Sequence, residues 1–60
     1  MKPKEVERIL MKNGWYAVRQ VGSHKMFKND TNKNTIAVPF HNKDIPIGTL
    51  NSILKQAGLK

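Results

Sequence analysis

Two segments of the chain carry apolar residues at the spacing of an amphipathic helix. The first runs from Pro3 to Asn13, and its apolar positions are Val6, Ile9, Leu10 and Met11. The second runs from Pro46 to Ala57, with an apolar stripe of Ile47, Leu50, Ile53, Leu54 and Ala57. Gly14 and Gly58 follow where a left-handed C-terminal cap is expected, and Asp44 is the candidate N-cap of the second helix.

Between these helices the pattern changes to that of β-strands. Aromatic and β-branched residues predict strands at Trp15–Val21, His24–Lys28 and Thr35–Phe40. Gly22 and Ser23 suit a two-residue type II′ turn, because glycine provides the positive φ that its first position requires. The polar segment 29–34 is expected to be a loop, and Pro39 places its end of the third strand at an edge or exit of the sheet. The order predicts an α+β domain, αβββα, with a three-stranded antiparallel sheet and both helices on one face.

Pairing Val21 with His24 across the turn assigns the remaining side chains to the two faces of the sheet. The face expected to meet the helices carries Val18, Phe27, Ile36, Val38 and Phe40, with Tyr16 and the stem of Lys25 at its margins. The opposite face carries Arg19, His24, Met26 and Lys28, with Ala37, Pro39 and His41. This face is predicted to be basic and to hold both histidines of the chain. A one-residue bulge at the glycine would move the downstream side chains to the other face.

Composition limits the classes of protein that fit. Sixty residues suggest one small domain spanning residues 1–60, with no room for a deep cofactor fold. The absence of cysteine excludes disulfides and thiolate metal sites and suits a reducing cytoplasm. No apolar stretch approaches the ~20 residues of a membrane span, and the charged N-terminal segment does not resemble a signal peptide.

Charge indicates the kind of partner. Eleven Lys and Arg residues against four Asp and Glu residues give a net charge of +7. A field of this sign attracts polyanions, of which nucleic acid is the commonest inside cells. An acidic protein or an anionic membrane would be attracted by the same charge.

The two histidines are the candidate catalytic groups, because imidazole suits proton transfer near neutral pH. His24 directly follows the predicted turn, and His41 follows the third strand. Two imidazoles near one phosphate would suit metal-free RNA cleavage, one removing the 2′-hydroxyl proton and the other protonating the departing oxygen. The alternatives are a surface histidine without a role for His24 and a loop or capping histidine for His41.

The basic residues near the turn are the candidate phosphate ligands. They are Arg19, Lys25 and Lys28, together with Ser23; a solvated basic face is the alternative. Trp15 and Tyr16 are expected to pack rather than stack on bases. No metal-ligand spacing occurs, so neither a metal nor another cofactor is expected.

Several stretches of this sequence together resemble one known family. They include Asn13-Gly14-Trp15, the run Val18-Arg19-Gln20-Val21-Gly22-Ser23-His24, Val38-Pro39-Phe40-His41 and the helical run from Gly48 to Gly58. In these stretches the chain resembles the HicA family of small toxins from prokaryotic and phage toxin–antitoxin modules. The resemblance extends from Lys4 to Leu59. One departure is Pro3, where relatives tend to have a Ser or Thr helix cap.

The resemblance implies a fold similar to the double-stranded-RNA-binding domain. It also implies a ribonuclease that cleaves messenger RNA and stops growth, and a HicB-type antitoxin that covers the active surface. The family's catalytic histidine maps onto His24, and His41 matches a position where members often carry histidine.

The leading hypothesis is therefore a metal-independent endoribonuclease acting on single-stranded or unstructured messenger RNA. A non-catalytic RNA-binding module of the same fold is the second hypothesis. A third is a protein-interaction unit whose charge matches an acidic antitoxin.

Overall fold

The helices and strands follow one another in the predicted order in a computed structural model that describes residues 1–60. They are α1 (Pro3–Lys12), β1 (Tyr16–Val21), β2 (His24–Asn29), β3 (Asn32–Pro39) and α2 (Ile47–Gln56). The strands form one antiparallel sheet with β2 in the centre, which confirms the α+β arrangement similar to the double-stranded-RNA-binding domain. Neither helix has the length and apolar character needed to cross a bilayer.

The ends of α1 are set by local backbone chemistry. At its start the Lys2 N–H donates to the Glu5 carboxylate at 3.0 Å, which satisfies one of the free amides of the first turn. Pro3 is tolerated in the first turn because its missing N–H would have no helical partner. At the end Gly14 adopts φ +89°, which confirms it as the left-handed cap residue.

The β1–β2 hairpin has the predicted turn and pairing at its closed end. Val21 pairs with His24, and Arg19 pairs with Met26. Gly22 has φ +60° and Ser23 has no positive φ, as a type II′ turn requires.

Farther from the turn, β1 contains a bulge that the sequence did not indicate. The register shifts between Ala17 and Arg19, so that Ala17 pairs with Phe27 and Val18 is the extra residue. Val18 is 45% exposed and Tyr16, which pairs with Lys28, is 44% exposed. The expectations that Val18 belongs to the core face and Tyr16 to its margin are therefore wrong, because the extra residue breaks the two-residue alternation.

The prediction of a loop at 29–34 is also wrong. β2 continues to Asn29, which pairs with Asn32 across a two-residue connection. The Asn29 side-chain oxygen accepts hydrogen bonds from the Thr31 N–H and hydroxyl, each at 2.9 Å. Its amide donates to the Asn13 carbonyl at 3.0 Å. These bonds order a segment whose polar composition is typical of loops.

The core lies between the two helices and one face of the sheet. Phe27, Ile36 and Val38 are fully buried from the sheet side. Three residues of α1 and two of α2 are buried against them. Trp15 is buried, as predicted for a packing residue. The complete cluster is Val6, Leu10, Trp15, Phe27, Ile36, Val38, Ile45, Leu50 and Ile53.

The segment between β3 and α2 is fastened to the N-terminus of the chain. The Ile45 N–H donates to the Met1 carbonyl at 2.9 Å, and the Ile45 side chain is buried in the core. Asp44 pairs with Lys2 at 3.3 Å, while the N-cap position of α2 is Pro46, which has no side-chain cap. The prediction that Asp44 caps α2 is therefore wrong, because its carboxylate is engaged elsewhere.

Candidate nucleic-acid interface

The face of the sheet turned away from the helices, called the open face here, carries three of the six candidate residues. Strand pairing places His24 between Val21 and Pro39, and Met26 between Arg19 and Ala37. By alternation, Lys28 lies on the same face. The predicted assignment of His24, Arg19, Met26 and Lys28 to one face is thus confirmed.

His24 is the first residue of β2 and directly follows the type II′ turn. Its side chain is exposed, and its ring forms no hydrogen bond within the protein. The imidazole is therefore accessible to a bound strand and has both ring nitrogens free for proton transfer.

A shallow hollow on the open face contains two of the candidate phosphate ligands. Arg19 and Lys28 line it together with Val18, Met26 and Thr35. Both cations are exposed, and neither is paired with a carboxylate. The bulge adds Val18 to this surface, so an apolar side chain lies among groups suited to phosphate.

Lys25 lies on the other face of the sheet. Its Nζ atom is 2.6 Å from Oε2 of Glu7 on α1 and 5.0 Å from the centre of the Phe40 ring. The Lys25 and Glu7 side chains are only 28% and 20% exposed. The structure therefore separates Lys25 from Arg19 and Lys28 by the thickness of the sheet, in agreement with the expected position of its stem beside the core.

Ser23 and His41 lie at the same end of the sheet as His24. The Phe40 N–H donates to the Ser23 carbonyl at 2.6 Å, which continues the pairing one residue beyond Pro39. His41 is exposed and lines a groove at the start of α1, together with Lys2, Pro3, Lys4, Phe40 and Asn42. His24 is not among the residues that line this groove. Sequence reasoning missed Lys2 and Lys4, which only the tertiary structure brings beside His41.

Tyr16 forms a polar contact at the far end of the open face. Its hydroxyl donates to Oδ1 of Asp30 at 2.8 Å. This hydrogen bond, followed by repulsion from the Asp30 carboxylate and a small desolvation effect, raises the pKa of Tyr16 above its ordinary value of 10.0. Tyr16 therefore stays protonated at neutral pH and joins β1 to the β2–β3 turn. No group of three His, Asp or Glu side chains comes together as a metal site would require.

A family model described as the HicA toxin of bacterial toxin–antitoxin systems matches residues 3–59 of the 60-residue chain. Comparison with curated individual proteins gives no significant match.

Proposed function

Since the chain belongs to the HicA family of bacterial toxin–antitoxin toxins, we propose that it is a metal-independent endoribonuclease in which His24 is the catalytic base. The observation that carries this proposal is the exposed imidazole of His24, which stands at a turn of a basic sheet face. Unstructured messenger RNA is the proposed substrate.

The proposed reaction uses the 2′-hydroxyl of RNA as the nucleophile, which restricts cleavage to RNA. His24 removes the 2′-hydroxyl proton, the 2′ oxygen forms a bond to phosphorus, and the bond from phosphorus to the 5′ oxygen breaks. The departing oxygen takes a proton from His41 or from water. The products are a 2′,3′-cyclic phosphate and a 5′-hydroxyl, and no oxidant or metal is consumed.

Arg19 and Lys28 are proposed to hold the phosphates and to offset the negative charge of the transition state. The Arg19 guanidinium and the Lys28 ammonium form no ion pair within the protein, which supports this role. Ser23 is proposed as a further phosphate contact because it directly precedes His24. A phosphate contact from Lys25 would require its ammonium to leave the Glu7 carboxylate.

A toxin of this family has a cognate antitoxin. We propose that a HicB-type antitoxin covers the open face and blocks access to His24. Exposed Val18 and Val21 beside the cationic Arg19 support this placement, because a partner with acidic and apolar groups would bury them favourably.

The test is cleavage of an end-labelled transcript by purified protein in EDTA. Wild-type protein is expected to give fragments with 2′,3′-cyclic phosphate ends. His24→Gln is expected to retain the folded circular-dichroism spectrum and antitoxin binding but to lose cleavage. His41→Gln removes the other exposed imidazole and is measured beside it: a lower cleavage rate is expected if His41 supplies the proton to the departing oxygen, and an unchanged rate if water does. Cleavage by His24→Gln at the wild-type rate would remove His24 from the mechanism.

A non-catalytic RNA-binding module is the second candidate. One observation favours it: no residue of the protein forms a hydrogen bond that would orient the His24 ring, whereas catalytic bases are commonly held by such a partner. This candidate predicts tight, salt-sensitive binding of the same transcript without any cleavage, either in EDTA or in magnesium.

A further inference from the structure

A groove lies between the first turn of α1 and the segment that leaves β3. The six residues that line it provide two ammonium groups, an imidazole, a side-chain amide and an aromatic ring, but no carboxylate; they are Lys2, Pro3, Lys4, Phe40, His41 and Asn42. Cations that hold a phosphate beside an aromatic ring that contacts a base are the combination by which proteins bind single-stranded nucleic acid.

The two lysines of the groove have different surroundings. Lys2 lies 3.3 Å from the Asp44 carboxylate, and its ammonium donates to the Asn42 carbonyl at 3.3 Å. These contacts hold the loop wall of the groove in place. Lys4 is exposed and forms no ion pair with any carboxylate of the protein. Its full charge is therefore available to an external anion.

The groove begins next to the strand position that carries the candidate base. Phe40 is hydrogen-bonded to Ser23, the residue before His24, and His24 itself pairs with Pro39. Paired strands lie about 4.8 Å apart, and each residue advances a strand by about 3.3 Å. The Phe40 ring lies over the Lys25 ammonium, on the face of the sheet opposite to His24. An RNA strand whose phosphate lies at His24 therefore reaches Phe40 and His41 by passing around the end of the sheet at the β1–β2 turn.

We propose that this groove is a second RNA subsite, which binds the nucleotide next to the cleaved phosphate. Lys4 contacts a phosphate oxygen, His41 donates to the phosphate or ribose, and Phe40 provides the apolar wall for the base. That the bound strand is RNA rests on the proposed function. The RNA would then cross the β1–β2 turn, from Arg19 and Lys28 on the open face to the start of α1.

The test uses a 2′-O-methyl oligoribonucleotide, which lacks the nucleophilic 2′-hydroxyl, so that affinity is measured without cleavage. Lys4→Gln is compared with Lys12→Gln, which removes another exposed lysine from the other end of the same helix. Lys4→Gln is expected to raise Kd about three- to tenfold and to reduce the salt slope by about 0.7, the effect of one lost phosphate contact on single strands. Lys12→Gln is expected to change Kd less than twofold. His41→Asn should also raise Kd.

Loss of folding does not explain such a result, because Lys4 lies at the positive end of the helix dipole, where removing a cation does not destabilise the helix. Equal effects of Lys4→Gln and Lys12→Gln would overturn the subsite. Separately, a wild-type protein that binds the oligonucleotide through Lys4 but cleaves no transcript would overturn the proposed nuclease and leave the subsite standing.

Discussion

The Nζ atom of Lys25 lies 2.6 Å from Oε2 of Glu7, and this ion pair joins the central strand of the sheet to α1. Phe40 packs against the same ammonium at 5.0 Å. The residue that follows the candidate catalytic histidine is thus held by a helix on the opposite side of the sheet. Lys25 therefore fixes the position of the strand that presents His24.

Replacement of Lys25 is expected to affect stability more than RNA affinity. Because the pair is half-buried, Lys25→Met and Glu7→Gln should show a coupling energy of about 1 kcal/mol in a double-mutant cycle. Urea unfolding of the two single variants and the double variant measures it. Additive effects of the two substitutions would contradict an energetic link between β2 and α1.

The two free cations of the open face should each contribute to the salt dependence of RNA binding. Arg19→Gln and Lys28→Gln are each expected to reduce the slope of log K against log salt concentration by about 0.7. Lys55→Gln is the control, because Lys55 lies in the last turn of α2, on the helix side of the sheet. Titration at several salt concentrations measures the slopes. A change with Lys55→Gln as large as that with Arg19→Gln would show that net charge alone governs binding.

The bulge in β1 predicts unequal effects for two valines that sequence alternation places together on the core face. Val38 is fully buried, so Val38→Ala should lower the free energy of unfolding by about 2 kcal/mol, from the lost burial and the resulting cavity. Val18 is 45% exposed, so Val18→Ala should cost less than about 0.5 kcal/mol. Urea denaturation of both variants makes the comparison. Equal losses would mean that Val18 belongs to the core.

The contact between Tyr16 and Asp30 predicts a loss of stability at alkaline pH. The pKa of Tyr16 is higher in the folded protein than in the unfolded chain, where it is about 10. The contribution of the protonated hydroxyl to stability is therefore complete below pH ~10 and is lost as the pH rises through the pKa of the folded protein. The chain has a single tyrosine, so absorbance at 295 nm follows its ionisation directly.

Asp30→Asn is the companion variant, because it removes the negative charge while leaving a side-chain oxygen to accept the hydrogen bond. Its Tyr16 pKa should fall toward 10.0. If Tyr16 ionises at the same pH in both proteins, the carboxylate does not influence it.

The sequence indicates the fold through features that act over short distances. Gly22 and Ser23 form the predicted type II′ turn, because a positive φ is accessible to glycine without a side-chain clash. Gly14 ends α1 for the same reason. Apolar spacing correctly identified the helices, although Met11 and Ile47 are 58% and 72% exposed, since spacing alone does not locate the edge of a buried stripe.

Structural features that depend on contacts between distant residues were not predicted. The bulge at Val18, the hydrogen bond from Asn29 to the Asn13 carbonyl and the engagement of Asp44 by Lys2 leave no local pattern in the sequence.

The sequence by itself determined the order of the elements, the turn before His24 and the basic character of the chain, because backbone preferences, side-chain alternation and charge are local or additive properties. Only the tertiary structure decided that Lys25 pairs with Glu7 behind the sheet while Arg19 and Lys28 stay free in front of it. It also decided that Lys4 lies beside His41. These relations join residues far apart in the chain, and their geometry is fixed only when the helices pack on one face of the sheet.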